Sequence, residues 1–150
     1  EYHKQDMQSM VRKGFFQVRD EGKLKLFKSC KAEYSDGGQE RDFLYIKDAV
    51  AMTLFFLEQK NAGGIFNVGS GKARNWNDLA KAIFSAMGRK TNIEYIDMPE
   101  EIKNQYQYHT CSDTKKIRNV GYINPLMSLE EGIEDYVKNY LLLEKHLGNY

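Results

Sequence analysis

Two short stretches decide the fold: RDFLYIKD at residues 41–48 and GIFNVGSG at residues 64–71. The first predicts a strand over residues 42–46, followed by a helix for which Asp48 is the expected cap. That helix is apolar almost all round, so we expect it to be buried on more than one side. The second stretch predicts a buried strand over residues 65–68, which a glycine-rich turn ends.

Helices and strands continue to alternate on both sides of these stretches. Upstream, apolar residues on one helical face around Phe15 predict a helix that ends before Gly22, and residues 24–27 alternate as a strand does. Downstream, the expected elements are a helix capped by Asn75, a strand at residues 93–96, a helical turn after Pro99 and a helix opened by the capping box Ser128 to Glu131. The alternation indicates an α/β fold. Its strands are few, and the two buried ones lack obvious neighbours, which suggests that a partner structure is missing.

Length, charge and cysteine content narrow the class of protein. The chain has 150 residues and a formal net charge of +1, which predicts one domain and gives a nucleic-acid surface little electrostatic support. No apolar run reaches the roughly 20 residues that cross a bilayer, and no secretory signal is visible, so we expect no membrane. Cys30 and Cys111 lack metal-ligand spacing, which favours reduced cytoplasmic thiols and no metal site. Because Glu1 is not a methionine, we expect the chain to start inside a longer product.

The glycine-rich turn at residues 69–72 does not match a nucleotide-binding loop. Phe66 and Ala73 stand where a Walker motif needs a glycine and a serine or threonine. The sequence also lacks a G-x-G-x-x-G fingerprint, a Y-x-x-x-K pair and any local sign of a Ser-His-Asp or Cys-His site. Taken alone, the residues predict only an α/β domain with polar loops.

The stretches at residues 41–48 and 64–71 resemble the R-D-F-[VL]-[YH]-[VI]-x-D and G-x-[FY]-N-[VL]-G-[ST]-G elements of the extended short-chain dehydrogenases, the nucleotide-sugar epimerases and dehydratases. Other segments resemble one branch of that family, the ADP-L-glycero-D-manno-heptose 6-epimerases. These are EYHKQDM at residues 1–7, LFKS at residues 26–29, YSDGGQERDF at residues 34–43, and KNQYQ at residues 103–107. The resemblance covers the whole chain without a large gap and is specific at four separate places.

The resemblance implies that residues 1–150 are one carboxyl-terminal, substrate-binding domain of such an enzyme, with small mixed sheets and helices. The amino-terminal Rossmann domain would be absent, and residues 41–70 would pack against it. In this family NADP takes a hydride from the heptose and returns it to the opposite face of a transient ketone. NADP would be bound mainly by the absent domain, so we expect the 150-residue chain alone to be inactive. Relatives are homo-oligomers, and we expect the same of the full-length protein.

The resemblance also assigns site residues. Lys4 matches the lysine of the family's H-K element and is the expected catalytic group and cofactor contact, with a solvated or cofactor-phosphate-binding lysine as the alternative. The expected substrate contacts are Asp6, Lys13, Phe27, Lys28, Ser29, Cys30, Arg41, Trp76 and Tyr106. Residues 27–30 would clasp the nucleotide partly through backbone groups, so Cys30 need not be reactive. Gln5 departs from the family, which commonly has glycine at this position.

The chemistry of three of these residues also allows other roles. Arg41 has a rigid fork that suits bidentate contact with a diphosphate, but it could instead form a surface ion pair with Glu40 or Asp42. Trp76 could stack on adenine or belong to the core. Tyr106 could donate its hydroxyl to phosphate or sugar, or be a plain surface tyrosine.

Three functions compete at this point. The leading one is the substrate lid of a 6-epimerase that acts on ADP-heptose for lipopolysaccharide core or a related glycan. The second is another extended short-chain dehydrogenase, such as a UDP-hexose 4-epimerase or a dehydratase; the H-K element and residues 105–107 favour the first. The third is a binding module without catalysis, which would have the same helix caps and core.

Overall fold

A computed structural model describes residues 2–59 and 62–145, without the side chains of Tyr2 and Asp6. In chain order its elements are a 3-10 segment at Tyr2–Met7, α1 at Met10–Glu21, β1 at Leu24–Phe27, β2 at Glu40–Asp42, α2 at Ile46–Glu58, β3 at Ala73–Asn75, α3 at Trp76–Ala86, β4 at Ile93–Ile96, α4 at Glu100–Lys103, α5 at Lys115–Asn119, α6 at Leu129–Tyr136 and a π-helical turn at Val137–Leu141. None of the described helices is long and apolar enough to cross a membrane.

The strands form two small sheets. β1 and β4 run parallel, with Leu24 opposite Ile93, whereas β2 and β3 run antiparallel, with Arg41 opposite Arg74. Each sheet has two strands, so helices must cover the faces that the sheets leave open. This arrangement of helices around small mixed sheets confirms the predicted fold class.

The main core lies where α1, α3, α6 and the π-helical turn pack around β1. The face of α1 predicted to be apolar is buried through Phe15 and Val18. Gly14 is needed on that face because an added Cβ would lie 2.7 Å from the Leu24 side chain. The helix begins at Ser9, whose hydroxyl accepts the backbone N–H of Arg12.

Helix ends are formed largely by the residues that the sequence predicts. Gly22 ends α1 in the left-handed conformation, with a φ of 68° that favours glycine. The Asn75 side chain accepts the N–H of Asp78 at the start of α3. Ser128 and Glu131 form the predicted capping box at the start of α6. These predictions are confirmed.

The strand predicted at residues 42–46 is wrong in its bounds. β2 ends at Asp42 because its partner β3 has only three residues, and α2 already begins at Ile46. Asp48 therefore lies inside the first turn and is not the cap. Its buried carboxylate accepts a hydrogen bond from the backbone N–H of Met127 at 3.0 Å, which joins α2 to the segment before α6.

The buried strand predicted at residues 65–68 is also wrong, because no described strand lies beside this segment. Ile65 is 88% exposed, and the segment has no strand structure. The prediction that α2 is buried on more than one side fails for the same reason. Its inner face packs in a second, smaller core around Met52, Ile117 and Tyr122. Its outer apolar residues are exposed: Ile46, Val50, Leu54 and Leu57.

Candidate functional site

Strand β2 brings Arg41 to a cluster of aromatic side chains. The guanidinium carbon of Arg41 lies 5.1 Å from the ring centre of Tyr106 and 5.9 Å from that of Trp76. Aromatic faces attract a cation at this range. Nη1 of Arg41 also donates a hydrogen bond to the carbonyl of Glu40 at 2.7 Å. These contacts orient the guanidinium without neutralising it.

The carboxylates beside Arg41 have other partners. Glu40 lies 2.8 Å from Nδ1 of His109, and Asp42 accepts hydrogen bonds from Ser70 and Ser112. The alternative that Arg41 forms an ion pair with Glu40 or Asp42 is therefore wrong. No carboxylate within the described part of the chain neutralises Arg41, so its charge is available to an anion.

Asp42 fixes the end of β2 by joining three segments of the chain. Its carboxylate accepts the backbone N–H groups of Ser70 at 2.8 Å, Gly71 at 3.1 Å and Ser112 at 2.9 Å, and the two serine hydroxyls also donate to it. Burial opposes ionisation, but these hydrogen bonds outweigh it and lower the pKa of Asp42. Gly69 must be glycine here, because an added Cβ would lie 1.8 Å from Oγ of Ser112.

Tyr106 is half-buried between Arg41 and the rest of the aromatic cluster. Its hydroxyl oxygen accepts a hydrogen bond from Nε1 of Trp76 at 3.1 Å. The edges of Phe27 and Tyr108 pack against it, with ring centres 6.3 Å and 5.6 Å away. Burial raises the pKa of Tyr106, although Arg41 and the bond from Trp76 oppose the shift. The phenol therefore keeps its proton at neutral pH and can act as a donor. A plain surface tyrosine does not fit this environment.

Cavities open beside the cluster. An open one of about 300 Å³ is lined by Arg41, Ile102, Gln105, Tyr106 and Gln107. An apolar one of about 230 Å³ is lined by Met10, Gln17, Lys25, Leu26, Phe27, Trp76, Ile96 and Tyr106. Tyr106 borders both of them. A ligand with a flat apolar group and an anionic group could occupy both cavities, with the anion beside Arg41.

The segment at residues 27–30 lies next to this cluster. The N–H of Ser29 donates to Asp36 at 2.8 Å, and the N–H of Cys30 donates to the hydroxyl of Tyr108 at 2.9 Å. The N–H of Lys28 donates to the carbonyl of Ile96 at 2.8 Å, and its ammonium group lies 3.0 Å from Asp97. These three amides already have partners within the protein. The Phe27 ring and the exposed side chains remain for a ligand.

The structure gives less information about the amino-terminal site residues. Lys4 is exposed in the 3-10 segment, whereas the side chain of Asp6 lies outside the described residues. Lys13 is half-buried in the first turns of α1. Gln5 has a φ of 45°, in the region that favours glycine, so the glycine-like backbone is kept without the glycine. Arg41, Trp76, Tyr106 and Phe27 are brought together.

Tyr108 also belongs to this site, although it was not predicted from the sequence. It is buried, its hydroxyl accepts the N–H of Cys30, and the Lys31 ammonium lies 4.6 Å from its ring centre. The available signal was the spacing of Tyr106 and Tyr108, since alternate residues of an extended segment lie on one side. Within residues 2–59 and 62–145, no cluster of His, Cys, Asp and Glu could hold a metal ion.

Comparison with known sequences reveals relatives of one kind. The sequence model described as the NAD dependent epimerase/dehydratase family matches residues 2–69. ADP-L-glycero-D-manno-heptose-6-epimerase of Nitratidesulfovibrio vulgaris (strain DP4) is 48% identical over 141 residues, and that of Fusobacterium nucleatum is 43% identical over 150 residues. The alignments cover 94% and 96% of this chain but 44% and 45% of those proteins. The chain thus spans less than half the length of these relatives.

Solved structures agree with the sequence comparison. The crystal structure of ADP-L-glycero-D-manno-heptose-6-epimerase from Helicobacter pylori superposes with a TM-score of 0.72 at 28% identity, over 93% of this chain and 39% of that one. A dTDP-glucose 4,6-dehydratase from Bacillus anthracis superposes with a TM-score of 0.71 at 19% identity, over 91% of this chain and 40% of that one. The second likeness shows a shared fold alone. Together with the sequence relatives, these matches confirm the resemblance inferred from the motifs.

Proposed function

Because the chain is homologous along almost its whole length to ADP-heptose 6-epimerases, within the NAD dependent epimerase/dehydratase family, we propose that it forms the substrate-binding part of such an enzyme. The full-length protein would invert carbon 6 of ADP-glycero-manno-heptose by oxidation and reduction through a ketone. The observation that carries this proposal is the charge of Arg41, held beside Tyr106 and neutralised by no described carboxylate.

A diphosphate is the anion that this arrangement suits best. The Arg41 guanidinium can donate two parallel hydrogen bonds to phosphate oxygens, and the Tyr106 hydroxyl can donate a third. The apolar cavity beyond Tyr106 offers the flat surfaces of Phe27 and Trp76 to a nucleoside base. The remaining proposed substrate contacts are Asp6, Lys13, Lys28, Ser29 and Cys30, which rest on the family resemblance.

Lys4 is the residue that we assign to proton transfer. When bound, a nicotinamide cofactor, which we take to be NADP, would accept and return the hydride at carbon 6. Lys4 would hold or move the hydroxyl proton on one face of that carbon and contact the cofactor. Its exposed ammonium group fits a ligand that is bound mainly by another part of the protein. A lysine can act as a base only where desolvation or a neighbouring cation lowers its pKa, so the bound complex must supply that environment.

We also propose that residues 41–70 pack against a Rossmann domain elsewhere in the full-length protein. Ile46, Val50, Leu54 and Leu57 follow one another at helical spacing along one side of α2, and all are exposed. We call these four residues the α2 face. Ile65 and Val68 are exposed as well, in a segment that has no strand neighbour within the described residues. Contiguous exposed apolar surface usually marks an interface.

The remaining expectations stay part of this proposal. The two free, exposed cysteines Cys30 and Cys111 fit the reducing cytoplasm, where we place the enzyme. We expect a homo-oligomer for the full-length protein, and neither a membrane nor a nucleic acid as partner.

A panel of nucleotide sugars offered to the full-length protein tests the reaction. With NADP or NAD present, we expect conversion of ADP-D-glycero-D-manno-heptose to its carbon-6 epimer and no conversion of UDP-hexoses. Proton NMR would monitor the conversion. The 150-residue chain alone serves as a control and should be inactive. Turnover of a UDP-hexose but not of the ADP-heptose would favour another extended short-chain dehydrogenase. If the full-length protein bound a nucleotide sugar tightly but turned over none of them, a binding module would be favoured.

A further inference from the structure

The hydrogen bond between Trp76 and Tyr106 joins two residues 30 positions apart, directly beside Arg41. We propose that Trp76 is a positioning residue: by donating its indole N–H to the Tyr106 hydroxyl, it turns the phenol proton toward an anion held at Arg41. The inference rests on the proposed function, because it takes the diphosphate of a nucleotide sugar as that anion.

The indole and the phenol differ in the hydrogen bonds that they can form. An indole N–H can only donate, so the Tyr106 oxygen must be the acceptor in this bond. A phenol hydrogen prefers the plane of its ring and has two positions there. The N–H of Trp76 approaches the oxygen from one of these two positions, so the phenol hydrogen takes the other. No described residue accepts that proton, so it is free to bind a ligand.

Both rings are held in place, so the direction of the proton is defined. Trp76 is the first residue of α3, and its backbone N–H donates to the carbonyl of Gln39 at 3.3 Å. Phe43 packs edge-on against the indole, with ring centres 5.0 Å apart. The edges of Phe27 and Tyr108 pack against Tyr106. A donor that is oriented before the ligand arrives loses less entropy on binding.

The charge distribution selects an anion as the ligand. Arg41 lies over both rings and has no ion pair with a described carboxylate. Tyr106 and Arg41 line the same open cavity of about 300 Å³. Two convergent donors, one of them charged, suit phosphate oxygens better than a neutral hydroxyl.

A double-mutant cycle on the full-length protein tests this inference, with ADP as the probe and calorimetry as the readout. Trp76→Phe keeps an aromatic ring but removes the N–H, and Tyr106→Phe removes the hydroxyl. We expect each substitution to weaken ADP binding about 5- to 10-fold, the effect of one hydrogen bond. The double variant should bind ADP no more weakly than Tyr106→Phe alone, because phenylalanine keeps a flat ring for the base and the lost N–H acts only through Tyr106.

A positioning role differs from a packing role in three measurements. Trp76→Phe should raise KM for the nucleotide sugar with kcat nearly unchanged, whereas general loosening would lower kcat and the melting temperature as well. Trp76 is the one tryptophan in the 150 residues, and its indole ¹⁵N–H resonance should move upfield in Tyr106→Phe. Tyr95→Phe is the matched control, because it removes a tyrosine hydroxyl that bonds Asn77 outside the cluster. It should leave ADP binding unchanged.

Two outcomes would overturn the inference. One is wild-type ADP affinity in Trp76→Phe, and the other is a double variant whose loss equals the product of the two single losses. Absence of ADP binding by the unsubstituted protein would overturn it too. Intact ADP binding without turnover of ADP-heptose would instead reject the proposed reaction, and the cycle would still decide the role of Trp76.

Discussion

The core around β1 and the outer side of α2 differ sharply in how they bury apolar side chains. Phe15, Val18 and Phe84 are at most 1% exposed, whereas Leu57 on the α2 face is 77% exposed. Helix α2 is more apolar in sequence than α1, so composition does not explain the difference. The core around β1 is formed by the described residues themselves, whereas the α2 face is the surface that we propose to contact a Rossmann domain.

The site lies at the boundary between these two regions. Trp76 and Phe27 come from the first region, while Arg41 precedes α2 and is held by the Asp42 bonds to residues 70, 71 and 112. Phe27 and Trp76 are therefore anchored on the core around β1, whereas Arg41 is anchored through Asp42. Arg41 is also the first residue of the segment 41–70 that we propose to contact the Rossmann domain.

The largest expected effect is a difference between the two regions in the stability lost on substitution by alanine. In the 150-residue chain, Phe15→Ala should cost about 3–5 kcal/mol of the free energy of unfolding because it leaves a cavity in the core. Leu54→Ala should cost less than about 0.5 kcal/mol, since Leu54 is exposed. In the full-length protein, Leu54→Ala should cost about 2–3 kcal/mol if the α2 face is covered there. Urea denaturation, monitored by circular dichroism, gives all three values. An equal loss of stability for Leu54→Ala in both proteins would contradict the comparison.

The next effect concerns Asp42, which ties the two regions together. Asp42→Asn should lower the free energy of unfolding by about 2 kcal/mol, because the amide has one acceptor oxygen where five donors converge. It should also weaken ADP binding, since Arg41 is the adjacent residue. Glu134→Gln is a suitable control, because Glu134 forms only an exposed pair with Lys138. Equal stability of the two variants would show that the Asp42 bonds hold neither region.

Acid should weaken the ion pair and the hydrogen bond that join α6 to the start of α2. Asp135 lies 2.6 Å from the Lys47 ammonium and accepts the Tyr45 hydroxyl at 2.5 Å. The hydrogen bond from Lys47, followed by that from Tyr45, lowers the pKa of Asp135 to about 2. Because the folded-state pKa is depressed, this stabilisation is present above the unfolded-state pKa and is lost as pH falls toward 2.

The corresponding measurement is the free energy of unfolding between pH 6 and pH 2. We expect the ion pair and the hydrogen bond together to contribute about 1 kcal/mol at neutral pH after allowance for solvent screening. Asp135→Asn should be less stable at pH 6 and should show a shallower loss on acidification. An unchanged acid slope in this variant would exclude Asp135 as a source of the pH dependence.

Helix ends and the core around β1 could be predicted from sequence because their signals are local. Ser128 with Glu131, Asn75 and Gly22 each act within a few residues. The strand predicted at residues 65–68 failed because no described strand pairs with this segment, whose residues Ile65 and Val68 are exposed. The predicted end of β2 was wrong because the length of a strand depends on its partner strand. That partner, β3, lies about 30 residues further along the chain.

The site could be predicted only in part. Arg41 and Tyr106 followed from the resemblance, but their contact across 65 residues of sequence is a property of the fold. The bond from Trp76 to Tyr106 had no local signal at all, since helical spacing marks Trp76 equally well as core. Tyr108 was missed because a buried tyrosine that braces backbone groups has no motif of its own.

The smallest expected effect tests the strain beside Lys4. Gln5 has a φ of 45°, where a side chain is strained and glycine is not. Gln5→Gly should therefore stabilise the full-length protein by about 0.5–1 kcal/mol, despite the greater freedom that glycine gives the unfolded chain. Differential scanning calorimetry would detect this as a higher melting temperature. A lower melting temperature would mean that contacts of the Gln5 side chain outweigh its backbone strain.

Hydrogen exchange, compared between the 150-residue chain and the full-length protein, tests most directly the difference between the two regions. The account predicts that the amides of α1, α3 and α6 exchange equally slowly in both proteins. The amides of α2 and of residues 65–68 should exchange rapidly in the 150-residue chain and become strongly protected in the full-length protein. Equal protection of residues 46–58 and 65–68 in the two proteins would contradict the account.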